Sequence, residues 1–265
     1  MNHQPQGPGP SPHADPMAVQ QPIHPLSQGL ALFRATPPDY RRAAEWFRAA
    51  VQVGDRDGLA MLGLCQLEGL GMPADAAQAR VLLERAATLG SAIGQFQLGR
   101  VLMTGRGGPA DEAGGLAAYV AAAAQAHAEA TFNLANCLNA GVGCLPDRLA
   151  AKALYLRSRT LGCVLRAPNV RVRQAELKAV RTLALRFADP KRLVFLVQER
   201  QQELALAHAV AQPRGRAATG LTPPRRRTLR HAGRLAAGVV AAMAGTLGQY
   251  LRRPSPDAGP TTINF

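Results

Sequence analysis

The chain has 265 residues, a formal net charge of +14, an apolar share of 47% and an aromatic share of only 5%. This length is enough for a sizeable buried core, and the composition excludes a core built mainly from large aromatic side chains. The charge is divided unevenly, because residues 1–147 carry a net charge of −3 and the remainder carries +17. The basic half is typical of contact with nucleic acid, anionic lipid or an acidic protein, although arginine-rich usage also follows from a GC-rich genome.

The first segment, residues 1–22, is rich in proline and is predicted to be disordered. It lacks the basic and apolar regions of a signal peptide, so a cytoplasmic location with reduced cysteines is expected. The cysteines form no C-x-x-C pair and have no histidine at zinc-ligand spacing, so they are predicted to be small core residues and no metal is expected. These cysteines are Cys65, Cys137, Cys144 and Cys163.

From residue 23 to residue 162 the sequence repeats with a period of 36 residues. Helix-ending positions recur at Gly54, Gly90, Ala126 and Gly162, and apolar positions recur at Leu62, Leu98 and Leu134. A turn recurs with Gly69, Gly105 and Gly141, then Gly71, Gly107 and Gly143, then Asp75, Asp111 and Asp147. A period of this length is typical of stacked helical repeats.

Each unit is predicted to contain two antiparallel helices. Residues 43–53 place apolar side chains on one helical stripe and charged side chains on another, and Gly54 suits the end of that helix. A second helix follows and ends at Gly69, where Pro73 prevents its continuation and Asp75 is placed to cap the next helix.

Residues 45–79 and 82–115 resemble the Sel-one-like repeat family, a relative of the tetratricopeptide repeats with a Gly-x-Gly-x-Pro turn. Residues 118–151 resemble it as a weaker third copy, in which Ala126 replaces the capping glycine and Pro146 lies one position late. The resemblance implies an all-α, right-handed α-solenoid of helix-turn-helix repeats. It also implies a non-catalytic scaffold or adaptor that binds a protein or peptide partner and needs no cofactor.

The same turns contain G-x-G-x-x-A spacing, at residues 69–77 and 105–113, which in other settings holds a dinucleotide. A dinucleotide loop follows a β-strand and opens a helix, whereas each of these turns follows a helix and carries an aspartate that would repel phosphate. The spacing is therefore interpreted as a helix stop followed by a helix start. The histidines are dispersed and match no catalytic motif, so no nucleophile or base is assigned.

The candidate binding surface follows from the repeat. In tetratricopeptide-like stacks the first helix of each pair lines the concave face, and the helices that carry Arg41, Val81 and Val120 are taken as those first helices. Their outward side chains change from charged to apolar along the chain. The candidate partner-binding residues are Arg41, Glu45, Arg48, Gln52, Val81, Glu84, Arg85, Thr88 and Val120.

The remaining chain is divided into four predicted segments: capping helices at 163–211, a basic flexible linker at 212–234, an apolar helix at 235–251 and a disordered end at 252–265. Residues 235–251 are uncharged but short and rich in alanine and glycine, so membrane insertion, surface binding and ordinary packing all stay open. Insertion would place the repeats on the cytoplasmic face of a membrane. The alternative function is therefore binding of nucleic acid or an anionic membrane through the basic half, although interleaved aromatics for base stacking are lacking.

Overall fold

The computed structural model describes residues 24–167 and 170–211, which contain α-helices, one 3-10 turn and no β-strand. The predicted all-α fold is confirmed. The predictions for residues 1–22, 212–234, 235–251 and 252–265 lie outside the described residues. The helices are α1 (Pro25–Arg34), α2 (Tyr40–Gln52), α3 (Arg56–Glu68), α4 (Ala76–Thr88), α5 (Ala92–Thr104), α6 (Glu112–Ala124), α7 (Ala128–Ala140), α8 (Arg148–Thr160), α9 (Leu177–Arg186) and α10 (Pro190–Ala211).

Aspartates begin the even-numbered helices of the repeats, as the sequence predicts. Asp39, Asp75, Asp111 and Asp147 each accept a hydrogen bond from a main-chain N–H in the first turn of α2, α4, α6 and α8, at 2.8 to 3.1 Å. Each bond satisfies a donor that the helix itself leaves without a partner. The recurring Gly-x-Gly-x-Pro-x-Asp pattern is therefore a helix end and a helix start in one segment.

The two glycines of each turn have different structural roles, as the turn between α5 and α6 shows. Gly105 ends α5 with φ 68° and donates its N–H to Val101. Gly107 also has a positive φ, of 74°, but in addition it lies directly against the main chain of Ala76 at the start of α4, where a Cβ would overlap that backbone. The second glycine therefore fastens each turn to the preceding repeat.

The helices stack as two layers. Each helix from α1 to α8 packs against the next one along the chain, so α2, α4, α6 and α8 form one layer and the odd-numbered helices form the other. In addition, α3 packs directly against α5, whereas α2 and α4 make no comparable contact. The odd-numbered helices are called here the inner layer and the even-numbered helices the outer layer.

The last two described helices depart from this order. α9 packs on α8 in the inner layer, but α10 packs against α6 rather than pairing with α9. Asp189 and Pro190 begin α10 as the sequence predicts, since the N–H of Lys191 donates to the Asp189 carboxylate at 3.0 Å. The apolar core is largest where α10 returns, and there it joins side chains from α5 to α10.

Substitution of Gly107 by alanine is expected to lower the free energy of unfolding much more than substitution of Gly54. Both residues have positive φ, which costs an L residue about 1 to 2 kcal/mol. Only at Gly107 does the added Cβ also meet the backbone of another helix, because nothing lies near a Cβ at Gly54. Urea unfolding of Gly107→Ala and Gly54→Ala checks this, and equal losses would contradict the packing role of Gly107.

Ala126 is expected to gain stability when replaced by glycine. It has φ 61° in the turn before α7, and it is the one non-glycine residue with positive φ in the described ranges. Ala126→Gly should therefore raise the free energy of unfolding by about 1 kcal/mol. The matched control, Ala117→Gly on the exposed side of α6, should lower it by about 1 kcal/mol, and thermal melts that moved both variants in the same direction would oppose this interpretation.

Candidate partner-binding surface

The candidate residues lie on three helices of the same layer. Arg41, Glu45, Arg48 and Gln52 lie on α2, Val81, Glu84, Arg85 and Thr88 on α4, and Val120 on α6. The members on α2 and α4 are exposed, whereas Val120 is buried at 8% exposure. The structure therefore brings together an open surface on α2 and α4, called here the outer face, and separates Val120 from it.

The location of these residues on the concave side stays a prediction. The helices that carry them belong to the even-numbered layer, and it is the odd-numbered helices α3 and α5 that pack directly against each other. Whether the outer face binds a partner stays a prediction.

Val120 is buried because α10 packs against α6. Val120 belongs to the same apolar cluster as Leu193, Leu196 and Val197, which form one stripe of α10. One repeat earlier, the residue at the same position is Glu84, which is exposed. Along the even-numbered helices the outward side chains change from charged to apolar. The apolar side chains lie on α6, where α10 of the same chain covers them.

Polar contacts fix the position of α10. The guanidinium of Arg200 donates to both carboxylate oxygens of Asp147, at 2.6 and 3.0 Å, and Asp147 is only 4% exposed. These bonds hold the pKa of Arg200 above its usual value. The side chain of Gln201 accepts a hydrogen bond from the main-chain N–H of Leu145 and donates one to its carbonyl, at 2.8 and 3.0 Å. α10 therefore bridges α6 and the turn that begins α8.

The apolar column of the inner helices shows the same difference between the two ends of the stack. Leu62 in α3 and Leu98 in α5 are partly buried, whereas Leu134 in α7 is fully buried. The covered position lies in the repeat next to α10. In the earlier repeats the equivalent leucines, Leu62 and Leu98, stay partly exposed.

The inner side of α3 and α5 carries an ion-pair network rather than an open site. Glu68 accepts hydrogen bonds from Arg106 at 2.7 and 3.3 Å and lies 3.7 Å from Arg100. Arg100 also donates to Gln97 at 2.7 Å, and burial lowers the pKa of its guanidinium. These contacts join successive inner helices, so their role is to fasten the repeats together.

The described thiols have the chemistry of core residues. Cys65, Cys137 and Cys163 are buried, whereas Cys144 is partly buried. Burial raises the pKa of Cys65 to about 12 and that of Cys144 to about 11, which favours the protonated thiol near neutral pH. Within residues 24–167 and 170–211, no cluster of histidine, cysteine and acidic side chains is arranged to hold a metal ion. No helix in these ranges has the length and apolar character needed to cross a membrane.

The sequence profile of the Sel1 repeat matches residues 28–55, 56–91, 92–127 and 128–163 in succession. The chain belongs to the Sel1 repeat family. The matched region covers just over half of the chain, and it includes the greater part of α1 and all of α2 to α8. The repeat that starts at residue 56 begins with α3, so the first helices of the family's unit are the odd-numbered ones. Proteins with Sel1 repeats generally mediate protein–protein interaction.

Solved structures of the same family are similar to this chain. A Sel1 repeat protein from Oxalobacter formigenes matches with 20% identity and a TM-score of 0.47, over 60% of this chain and 69% of its own. The protein c5321, a protective antigen present in uropathogenic Escherichia coli strains, matches with 17% identity and a TM-score of 0.39, over 75% of this chain. The match spans only 50% of the c5321 chain. A search of curated proteins finds no match.

The packing of α10 on α6 was not predicted, although the sequence contains an indication of it. The outer side of α6 carries Ala117, Val120 and Ala121 where α4 carries Val81, Glu84 and Arg85. An apolar stripe on a surface helix indicates a covering partner, and α10 offers a matching stripe. Comparing the same position between repeats would have identified the pair.

Substitution of Leu196 by aspartate is expected to release α10 from α6. Leu196 is 3% exposed, and a carboxylate placed there would be buried without a partner. Hydrogen exchange measured by mass spectrometry should show faster exchange throughout α10, with little change in α2 to α5. Leu206→Asp is the control, because Leu206 is 68% exposed on the same helix; equal effects of the two changes would argue against docking through the Leu196 stripe.

Proposed function

We propose that the protein is a non-catalytic adaptor that binds a helix of a partner protein on the outer face, formed by α2 and α4. The observation that carries this proposal is the position of α10, which lies on α6, one repeat further along the same layer. The chain thus supplies its own example of a helix bound on this layer. Repetition of the fold places similar backbone geometry at α4, where the surface is open.

The chemistry of the outer face favours a partner with both apolar and charged side chains. Val81 is 58% exposed at the centre of this surface, and an exposed apolar side chain of that kind gains from burial by a partner. Arg85 lies one turn further along α4 and is exposed as well. The ion pair between Arg41 and Glu45, with nitrogen and oxygen 3.9 Å apart, is highly exposed and contributes little to stability, so its groups are available for a partner.

The proposal is tested by photo-crosslinking from position 81 in the full chain, followed by affinity measurements with the purified partner that is captured. Val81→Glu combined with Arg85→Glu should weaken binding at least about tenfold, since both side chains lie at the centre of the contact. The fold should be unaffected, because both residues are exposed.

The matched control is Leu185→Glu, which also places a carboxylate at an exposed apolar position but lies on α9. It should leave the affinity unchanged. A partner that binds the double variant as tightly as the unmodified chain would overturn the assignment to the outer face. A partner retained only through residues 212–265 would instead favour the alternative, binding of nucleic acid or an anionic membrane by the basic half.

A further inference from the structure

A cavity of about 800 Å³ lies between α8, the described residues of the connection to α9, and α9 itself. Its walls are apolar, and several of the side chains that form them are exposed to solvent. The apolar lining residues include Leu156, Val164, Leu165, Val172 and Val180. The volume lies within the range of ligand-binding clefts in proteins.

The charged groups around this cavity are cationic. Arg159, Arg166 and Arg181 line it, and no carboxylate does. Lys152 also lines the cavity, but Glu176 accepts its hydrogen bond and neutralises its charge, and this bond holds the pKa of Glu176 below its usual value. Among the described residues, no acidic side chain forms an ion pair with any of the three arginines. The lining of the cavity therefore combines apolar side chains with positive charge that no acidic side chain of the described residues neutralises.

The position of the cavity in the stack explains why it is open. In the earlier repeats each inner helix packs against the outer helix that follows it, as α7 packs on α8. α9 occupies the next inner position, but α10 turns back to α6 and leaves α9 without such a helix. Leu156 and Val172 are exposed, at 39% and 41%, because no helix of the described chain covers them.

We propose that this cavity binds an acidic peptide segment with apolar side chains, supplied by another protein. The three guanidinium groups favour carboxylates, and the apolar walls favour aliphatic side chains between those carboxylates. A single-stranded nucleic acid fits less well, because the one aromatic lining residue, Tyr155, is buried and its hydroxyl donates to Asn136 at 2.6 Å. A lipid surface fits less well because the apolar side chains line a recess. This site is separate from the outer face, so either proposal can fail without the other.

The test is fluorescence anisotropy with the full chain and a labelled peptide of alternating glutamate and leucine. Saturable binding that weakens as salt is raised is expected, since the contact depends on exposed charges. Matched peptides separate the two requirements: one replaces glutamate by lysine and the other replaces leucine by serine. Both should bind at least about tenfold more weakly.

Variants locate the binding. Arg159→Glu combined with Arg181→Glu should lower the affinity for the glutamate–leucine peptide at least about tenfold. Arg171→Glu is the control, because Arg171 is exposed in the same connection but does not line the cavity. Circular dichroism melts of each variant separate loss of binding from loss of fold. The salt titration of the unmodified chain supplies a second readout that needs no variant.

Several outcomes would overturn the proposal. These are the absence of saturable binding, equal binding of the lysine–leucine peptide, and equal loss of affinity in Arg171→Glu. Binding to phosphatidylglycerol vesicles that Arg159→Glu combined with Arg181→Glu weakens, without binding to the peptide, would also overturn it and would assign these arginines to a membrane surface.

Discussion

The fold depends on the close approach of successive helices, which small residues permit. Gly94 at the start of α5 lies against Ala86 of α4, so near that a Cβ on the glycine would overlap the alanine methyl group. Gly58 lies in the same way against Ala50 one repeat earlier. Because each helix contacts mainly its neighbours along the chain, this spacing repeats and sets the geometry of the whole stack. Few large side chains are needed, which agrees with the low aromatic content.

The end of the stack determines where function can lie. An elongated stack leaves an apolar face at its last repeat, and here α10 covers part of it by returning to α6. This contact buries the surface around Val120. Two other surfaces stay open to solvent, the outer face on α2 and α4 and the cavity beside α9. Both open surfaces combine apolar side chains with charge, and the described residues offer no metal cluster. Both proposed binding sites lie on these open surfaces.

The repeat and its turns could be predicted from the sequence because they depend on local rules. Positive φ favours glycine and orphan N–H groups favour aspartate, so Gly105 and Asp111 identify a turn wherever they occur together. Which layer of the stack is concave could not be derived in this way, because curvature depends on distances between helices. The packing of α10 on α6 also depends on helices that are distant in the sequence. The sequence does contain one indication of it, because Val120 occupies the position that Glu84 holds one repeat earlier. Whether the other candidate residues bind a partner depends on the chemistry of that partner as well as on this chain.

The central claim is that α10 occupies on α6 a position that stays open on α4. Alkylation of cysteines introduced by Glu84→Cys and Val120→Cys into a Cys144→Ser background tests it most directly, because the two positions are equivalent in the repeat. The native Cys65, Cys137 and Cys163 are buried, whereas Cys144 is only partly buried. The account predicts rapid labelling at position 84, slow labelling at position 120, and rapid labelling at position 120 once Leu196→Asp is added. Rapid labelling of position 120 without Leu196→Asp would contradict it.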